Sequence, residues 1–375
     1  MDEQTARLIL LSAPDLSGEA YLSLLQQFGD AHSILSANPS AWRASGLTSR
    51  CRDFFKAALS PQLEHARRWL DGSHHHLVML DDPAYPALLK ETIGAPLGLF
   101  VSGSCDALNT PQLAVVGSRN PTPYGRRIAE GFAKHLTACG LSITSGLATG
   151  IDTASHRGAL AGGGIALAVC GTGLDIIYPR SSEPLAREIE QQGALVSEFL
   201  PGTSPRKHHF PQRNRLISGL SLGTLVVEAA PESGSLITAR LAAEQGREVF
   251  AVPGSIHSPM SKGCHELIRQ GAKLIDSVQD ILSELGPLMA SLAFKSNPER
   301  ANVIDSKSIF KTELDNDSKI LLDALGFEPL GVDELAHRTG LSANAITSQL
   351  LLLELENRVE SFHGGLYLRT DKTDV

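Results

Sequence analysis

QLAVVGSRNPTPYGRRIAEGFAKHLTACGLSITSG, residues 112–146, is the stretch of this 375-residue chain that decides its fold. It opens with a continuous apolar run, passes through a turn rich in Gly, Ser and Pro, and continues with apolar residues at helical spacing. It then ends, after Gly140, in a second apolar run. Short continuous apolar runs are typical of strands buried on both faces of a parallel sheet. The segment therefore predicts a strand, a crossover helix and a second parallel strand.

The same unit recurs toward the C-terminus. Five further apolar runs follow: IALAVCGTG (165–173), ALVSEF (194–199), LGTLVVEAA (222–230), REVFAVPG (247–254) and AKLIDS (272–277). Segments of helical periodicity separate them, and most of these segments end in Gly, the usual C-terminal stop of a helix. Residues 71–286 are therefore expected to form an α/β core, an extended Rossmann-like, doubly wound and mostly parallel sheet.

Two smaller domains are expected to flank this core. Residues 1–70 show short helical segments broken by Gly, Pro and Ser, which indicates a small α-helical domain of the SAM or helix-hairpin-helix type. Its segment LLQQFGDAHSIL (24–35) either binds a DNA phosphate through the turn amides or serves packing alone. After a polar linker, 287–312, residues 313–375 predict a winged helix. Gly340 lies in its helix-turn-helix, Ser342 caps its presumed recognition helix SANAITSQLLLLEL, and Gly364 and Gly365 form the turn of its wing.

The net charge of −8 alone argues against a nucleic-acid partner, but the charge is unevenly distributed. Residues 276–375 hold nine Lys and Arg against seventeen Asp and Glu, so residues 1–275 are neutral. Two segments of the core are locally basic. Residues 199–227 contain Arg206, Lys207, Arg213 and Arg215 without an acidic residue, and residues 107–151 contain Arg119, Arg126, Arg127 and Lys134 against Glu130 alone. Together they predict one positive surface if the fold brings them together.

The five cysteines are scattered and form no CxxC pair, so neither a disulfide framework nor a zinc site is expected. The N-terminus starts acidic, and no apolar run is long enough to cross a bilayer. These features predict a reduced, cytoplasmic protein without a membrane partner.

The loops after the strands are the places where a ligand is expected, because ligands of open parallel sheets bind outside the carboxyl ends of the strands. Small and hydroxyl residues occur there before helices, namely Gly117 and Ser118, Ser145 and Gly146, and Gly234 and Ser235. Helix N-termini of this kind attract phosphate groups. However, GSRNPTPYG is not GxGxxG, and no Asp or Glu follows LSITSG to hold a ribose, which argues against a dinucleotide cofactor. Arg119 suits a phosphate oxygen or a base edge, or else pairs with a carboxylate.

Three residues are candidates for catalysis, and each has a structural alternative. Asp152 and His156 are one helical turn apart and could act as an acid–base or metal pair, or Asp152 could cap its helix while His156 packs. Glu228 ends a buried strand and either anchors a loop arginine or is catalytic. The sequence contains no Ser/His/Asp order and no clustered metal ligands, so no catalytic or metal-binding residue is assigned.

Several long strings resemble the DNA-processing protein A family, also called DprA or Smf: LAVVGSRNPTPYG, ITSGLATGIDTASHRGAL, GTGLDIIYPR, HHFPQRNRLISGLS and VVEAAPESGSLITARLAAEQGREVFAVPG. The resemblance implies a protein without catalytic activity or cofactor that binds single-stranded DNA regardless of sequence. It also implies a homodimer formed through the core. Such a protein protects incoming DNA and loads the recombinase RecA onto it during natural transformation and recombination.

The resemblance also implies a DNA site, formed by Gly117, Ser118, Arg119, Lys207, Phe210, Arg213, Asn214 and Arg215. Cations that follow phosphates and an aromatic ring for the bases are what single-strand binding requires. The alternative is a nucleotide-processing Rossmann enzyme of the phosphoribohydrolase type, with Glu228 beside the SGS segment, although the PGGxGT string of such enzymes is missing. The acidic winged helix is interpreted as a protein-contact or dimer-supporting module, with DNA binding as its alternative.

Overall fold

The computed structural model describes residues 1–57, 59–296, 316–326, 329–343, 346–347, 349–350, 353, 359–362 and 366–370. The chain divides into two compact units, Met1–Ser296 and Asn297–Val375. The domain boundary expected near residue 70 falls inside the first unit, where one hydrophobic cluster includes Leu10 and Tyr21 as well as Met79 and Val196. That boundary stays a prediction.

A nine-stranded sheet organises the first unit. Its strands are β1 (His75–Met79), β2 (Gly98–Gly103), β3 (Gln112–Val116), β4 (Ser142–Ser145), β5 (Ala166–Val169), β6 (Ala194–Ser197), β7 (Gly223–Val226), β8 (Glu248–Ala251) and β9 (Lys273–Leu274). Their spatial order is β1-β2-β6-β5-β4-β3-β7-β8-β9. The seven strands from β3 to β9 pair in parallel, as the apolar runs predict, whereas β1 and β2 extend the sheet antiparallel beyond β6. The doubly wound, mostly parallel fold is thereby confirmed.

The order of the strands fixes where the sheet can bind a ligand. The chain runs outward from β3 through β4, β5 and β6, and then returns to β7, which pairs with the other side of β3. The pair β3–β7, in the register Val116 with Val226, is therefore the topological switch point of the sheet. The loops that leave β3 and β7 at their carboxyl ends diverge there and open a cleft.

Helices cover both faces of the sheet, and their caps match the sequence. The elements after β1 are α7 (Ala87–Lys90), α8 (Pro123–Ala138), α9 (Ile151–Ala161), α10 (Glu183–Gln192), α11 (His209–Leu220), α12 (Gly234–Glu244), α13 (Lys262–Arg269) and α14 (Val278–Ser296), with 3₁₀ turns at Cys105–Asn109, Arg180–Ser182 and Pro259–Ser261. α8 packs on α9, and α11 packs on α12. Thr122 caps α8 by accepting a hydrogen bond from Gly125 N at 3.0 Å.

The N-terminal region contains the expected short helices: α1 (Glu3–Ser12), α2 (Gly18–Phe28), α3 (Ala31–Ser36), α4 (Pro39–Ala44), α5 (Ser49–Lys56) and α6 (Pro61–Trp69). The turn between α2 and α3, which the sequence offers as a phosphate site, has its amides engaged. The Glu3 carboxylate accepts from Ala31 N at 3.1 Å and from His32 N at 2.9 Å. Asp30 accepts from Ser33 N at 2.6 Å. The packing alternative therefore describes this turn better than phosphate binding does.

The second unit contains α15 (Asn316–Leu325), α16 (Val332–Thr339) and a three-stranded antiparallel sheet in the order β10 (Leu330–Gly331), β12 (Leu366–Arg369), β11 (Val359–Phe362). Gly340 ends α16 in the left-handed conformation, as expected for the turn of a helix-turn-helix. Half of the presumed recognition helix, and Gly364 and Gly365 of the wing, lie outside the described residues.

The region between the two units differs from the expected linker. α14 continues through Pro287 to Ser296, so the first ten residues of the expected linker, 287–296, are helical, and the rest lies outside the described residues. Among the residues that the structure describes, no helix is long and apolar enough to cross a membrane.

Candidate functional site

An open cleft of about 740 Å³ lies at the switch point of the sheet. It is lined by the loop after β3, the start of α11 and the segment that leads into α12. Of the residues proposed from the sequence, it brings together Gly117, Ser118, Arg119, Lys207, Phe210, Arg213, Asn214, Gly234 and Ser235. The two locally basic segments therefore meet at one cleft, as the sequence predicts.

Backbone contacts hold the loop after β3 in place. Ser118 N donates to Glu228 O at 2.6 Å, and Ile151 N donates to Ser118 O at 3.1 Å. A side chain at Gly117 would lie 2.7 Å from Ile151 Cγ1 and 2.9 Å from Glu228 O, so only glycine fits there. These contacts fix the backbone beneath Arg119, whose side chain is exposed at the rim of the cleft.

Glu228 is the residue that anchors this loop. Its carboxylate accepts from Thr122 N at 2.8 Å and from Thr122 Oγ1 at 2.6 Å. The sequence leaves two roles open for Glu228, an anchor for a loop arginine or a catalytic group. The structure shows an anchor of a different kind, because the carboxylate engages the threonine that caps α8 and not an arginine.

Exposed cations and aromatic rings lie together at the rim of the cleft. The Arg119 guanidinium carbon lies 5.8 Å from the centre of the Phe210 ring, within the range of a cation–π contact. Tyr178, from the loop after β5, has its ring centre 5.6 Å from that of Phe210. Lys207 is exposed at the same cleft. Tyr178 is missing from the site that the sequence predicts, although it belongs to the quoted string GTGLDIIYPR after a predicted strand.

Arg213 forms the floor of the cleft and is only 4% exposed. Its Nη1 donates to Gly146 O at 2.5 Å and to Val169 O at 2.6 Å, which joins the carboxyl ends of β4 and β5. Asp152 is also buried and accepts from Gly146 N at 3.1 Å and from Ala148 N at 3.3 Å. Burial raises the pKa of Asp152 and lowers that of Arg213, while each charge opposes the shift of the other. Nη1 of Arg213 thus binds two backbone carbonyls, whereas its buried Nε has no hydrogen-bond partner among the described residues.

Arg215 lies outside the cleft. Its guanidinium forms an ion pair with Glu198, and its Nη1 donates to Gly94 O at 2.8 Å. Helical geometry explains the difference from Arg213. Two residues along an α-helix correspond to a rotation of roughly 200°, so the two side chains point to different sides of α11. Burial raises the pKa of Glu198, and the Arg215 charge opposes that rise. We therefore treat Arg215 as structural and leave it out of the site proposed below.

The remaining predicted residues differ in how they face the cleft. Ser145 is buried, and its hydroxyl donates to Val115 O at 2.6 Å, so it supports the sheet. Gly146 lines a smaller recess that Arg119, Tyr178 and Phe210 also line. Asn214 Nδ2 donates to Gly234 O at 3.5 Å, which links α11 to the N-terminus of α12. Ser235 is buried there beside the cap Ser233, their hydroxyl oxygens 2.7 Å apart.

In the part of the chain that the structure describes, Asp152 and His156 belong to no cluster of three or more potential metal-ligating side chains. Asp152 accepts from amides of the loop before α9, whereas the N-cap of that helix is Gly150 and makes no side-chain cap bond; Asp152 therefore has a structural contact, but not the helix cap that its structural alternative predicts. His156 is fully buried, and neither of its ring nitrogens has a hydrogen-bond partner among the described residues. Burial and the charge of Arg213 lower the pKa of His156 to about 3, so the ring is neutral near pH 7.

The fold and this site define an α/β protein of the Rossmann type, with a cationic and aromatic cleft at the switch point of its sheet. The family model described as DNA recombination-mediator protein A matches residues 76–286, and the model of the DprA winged helix domain matches residues 311–365. The chain belongs to the DNA recombination-mediator protein A family, as the resemblance of its strings indicates, and its C-terminal unit is a winged helix.

Individual relatives extend this result over most of the chain. Protein Smf of Escherichia coli (strain K12) is 43% identical over 326 residues, which cover 87% of this chain and 85% of that protein. DNA processing protein DprA of Streptococcus pneumoniae is 50% identical over 206 residues, covering 55% of this chain and 72% of its own.

Two solved structures are similar as well. The X-ray structure of DNA processing protein A from Streptococcus pneumoniae matches with a TM-score of 0.61 and 38% identity, covering 76% of this chain and 99% of that one. A structure that concerns the unique single-stranded DNA binding mode of DNA processing protein A from Helicobacter pylori matches with a TM-score of 0.52 and 31% identity. It covers 57% of this chain and 98% of its own.

Proposed function

We propose that this protein binds single-stranded DNA along the cleft at the switch point of its sheet, without sequence preference and without catalysing a reaction. The observation that carries the proposal is that the Arg119 guanidinium lies against the Phe210 ring at the rim of the cleft, with Lys207 exposed at the same cleft. Cations that follow phosphates, combined with rings on which any base can stack, are the recurring features of single-strand binding. The solved relative from Helicobacter pylori, described by its single-stranded DNA binding mode, supports the same ligand.

The site that we propose is smaller than the one that the sequence predicts. Arg119 and Lys207 contact phosphates, Phe210 stacks on a base, and Gly117, Ser118, Gly234 and Ser235 let the strand approach the backbone. Arg213 and Asn214 support the cleft from below. The carboxylate of Glu228, on which an enzymatic alternative depends, is engaged by Thr122.

Equilibrium binding of a fluorescein-labelled oligothymidylate, followed by anisotropy over a range of salt concentrations, tests this proposal. Arg119→Ala and Lys207→Ala should each weaken binding roughly ten- to hundredfold, because each removes a charge-assisted hydrogen bond to a phosphate. Each should also reduce the slope of log affinity against log salt, by about 0.7 for every phosphate of the single strand that the variant leaves without a cation. The wild-type protein should bind a duplex of the same length more weakly.

Arg187→Ala is the matched control, because Arg187 is exposed on α10 and pairs only with Glu183 among the described residues. It should bind as the wild type does. Full affinity in both Arg119→Ala and Lys207→Ala would show that the strand binds elsewhere. Release of a free base from nucleotides by the pure protein would instead favour the phosphoribohydrolase alternative.

The wider role that we propose is that of a recombination mediator, which acts in the cytoplasm as a homodimer and loads RecA onto the bound strand. The family description as a recombination mediator supports this role. Sedimentation equilibrium of the full chain tests the dimer. RecA loading is tested by measuring RecA filament formation on single strands coated with a single-strand-binding protein, in the presence and in the absence of the protein described here.

A further inference from the structure

Tyr178 has a position at the cleft that the proposed contacts leave unused. It lies in the loop between β5 and the 3₁₀ turn Arg180–Ser182, and its side chain is 50% exposed. It lines the main cleft, and it also lines a recess of about 100 Å³ together with Arg119 and Phe210. A tyrosine that served packing alone would be expected to bury more of its ring.

The arrangement of the two rings leaves Tyr178 available to a ligand. The centres of the Tyr178 and Phe210 rings are 5.6 Å apart, and the ring planes meet at 40°. The rings are therefore not stacked face to face on each other. Arg119, on the loop after β3, contacts the ring of Phe210.

We propose that Tyr178 is a second base-stacking platform of the single-stranded DNA site, so that neighbouring bases of one strand contact Phe210 and Tyr178. The inference rests on the proposed function and assigns to it a further binding residue. Stacking on an aromatic ring tolerates every base, because each base has a π face. A second platform thus adds affinity without adding sequence preference.

The loop that carries Tyr178 is held rigidly, which favours a binding role. Asp175, three residues before the tyrosine, accepts from Gly202 N at 2.8 Å, and Gly173 N donates to Thr203 O at 3.0 Å. These bonds join the loop after β5 to the loop after β6, which carries Lys207. A ring fixed before the ligand arrives loses little conformational entropy on binding.

The N-terminal helices reinforce this pair of loops. His65 of α6 contacts Asp175, with Nε2 and Oδ2 2.8 Å apart, and Gln62 Nε2 donates to Thr203 Oγ1 at 3.2 Å. α6 therefore contacts both loops on which the proposed platform and Lys207 are mounted. This places Tyr178 on a supported element, unlike a ring at the tip of a free loop.

The test compares Tyr178→Ala and Tyr178→Phe on two ligands, an oligothymidylate and an abasic strand with the same phosphates. Tyr178→Ala should weaken binding to the oligothymidylate about five- to hundredfold, the range for loss of one base–aromatic stack. It should bind the abasic strand as the wild type does, and its salt slope should not change, because tyrosine carries no charge. Tyr178→Phe should bind both ligands like the wild type.

The outcomes separate this inference from the proposed function. If Arg119→Ala loses affinity while Tyr178→Ala keeps it, the function stands and the second platform is wrong. Equal losses of affinity in Tyr178→Ala on both strands would also overturn the inference, because they would mean that the ring shapes the loop and does not stack. If the wild type binds neither strand, the proposed function fails and the inference fails with it.

Two further variants guard against misfolding and provide a direct signal. Tyr124→Ala is the matched control, because Tyr124 is an exposed tyrosine of α8 that is not among the described residues lining the cleft, and it should bind normally. Tyr178→Trp should show fluorescence quenching on the oligothymidylate but not on the abasic strand. Unquenched emission from a Tyr178→Trp protein that binds the oligothymidylate would contradict stacking at this position.

Discussion

The rim and the floor of the cleft use the same kinds of side chain in opposite ways. At the rim, Arg119 and Lys207 are exposed, and Arg119 contacts an aromatic ring. On the floor, Arg213 and Asp152 are buried, and each binds two backbone groups. Charges at the rim are available to a ligand and carry little desolvation penalty because they stay in water. A buried charge carries a large desolvation penalty and is tolerated only with its partners. The rim should thus control affinity, and the floor should control stability.

The largest effect is expected from Arg213→Ala, which should lower the free energy of unfolding and so test whether the floor controls stability. The substitution leaves the Asp152 carboxylate buried without its countercharge and leaves the carbonyls of Gly146 and Val169 without a donor. Breaking a buried charge pair in this way costs about 3–5 kcal/mol in the free energy of unfolding. Denaturant unfolding of wild type and variant measures it.

A double-mutant cycle with Asp152→Asn provides the control, because the second substitution should cost less once Arg213 is gone. A stable Arg213→Ala protein that nevertheless loses tenfold in DNA affinity would break the comparison, since Arg213 would then act as a ligand of the strand.

The difference between rim and floor marks how far the sequence can predict this site. The seven parallel strands follow from continuous apolar runs, and their order places Arg119 and Lys207 at one edge. The sequence could also have predicted that Arg213 and Arg215 face different surroundings, because positions two apart on a helix point to different sides. The carbonyls that Arg213 binds belong to Gly146, directly after β4, and to Val169, at the end of β5; both are far away in the chain, and no local pattern indicates them.

Two other features escape sequence reasoning for similar causes. Tyr178 stands alone in a loop, where periodicity gives no information, and only the fold brings it to Phe210. Glu228 is recognisable as a buried strand end in need of a partner, but its partner Thr122 lies in a loop whose path the sequence does not specify. The strands β1 and β2 were not predicted, and they pair antiparallel at the edge of the sheet.

The next effect in size concerns His156, a fully buried residue of α9 that is influenced by the charge of Arg213. Its pKa of about 3 in the folded protein lies below its ordinary value of about 6.5 in the unfolded chain. Between these values the unfolded chain binds a proton that the folded protein does not, so stability falls as the pH drops below about 6.5. The free energy of unfolding then falls by up to about 1.4 kcal/mol per pH unit. The total loss between pH 7 and pH 5 is about 2 kcal/mol.

Replacing His156 with Leu should remove this part of the acid sensitivity. Denaturant unfolding from pH 8 to pH 5 measures it, and the range above pH 7, where the imidazole is neutral in both states, serves as the internal reference. DNA affinity at neutral pH should not change, since the ring is fully buried and is not among the described residues that line the cleft. Equal losses of stability with falling pH in variant and wild type would show that protonation of His156 does not cause the acid sensitivity.

The smallest effect is expected from His65→Ala, because His65 contacts neither the rim side chains nor the floor but the loop that carries Tyr178. His65 and Asp175 are partly exposed, and pairs of this kind contribute up to about 1 kcal/mol. Because Asp175 also holds Gly202, removing the imidazole should loosen the loops that carry Tyr178 and Lys207. The affinity for an oligothymidylate should fall by less than about fivefold, with little change in melting temperature. His32→Ala, an exposed histidine of α3, is the control and should bind normally. A loss of affinity in His65→Ala that exceeds the loss in Tyr178→Ala would mean that the helix itself contacts the strand, and the rim would then extend onto the N-terminal helices.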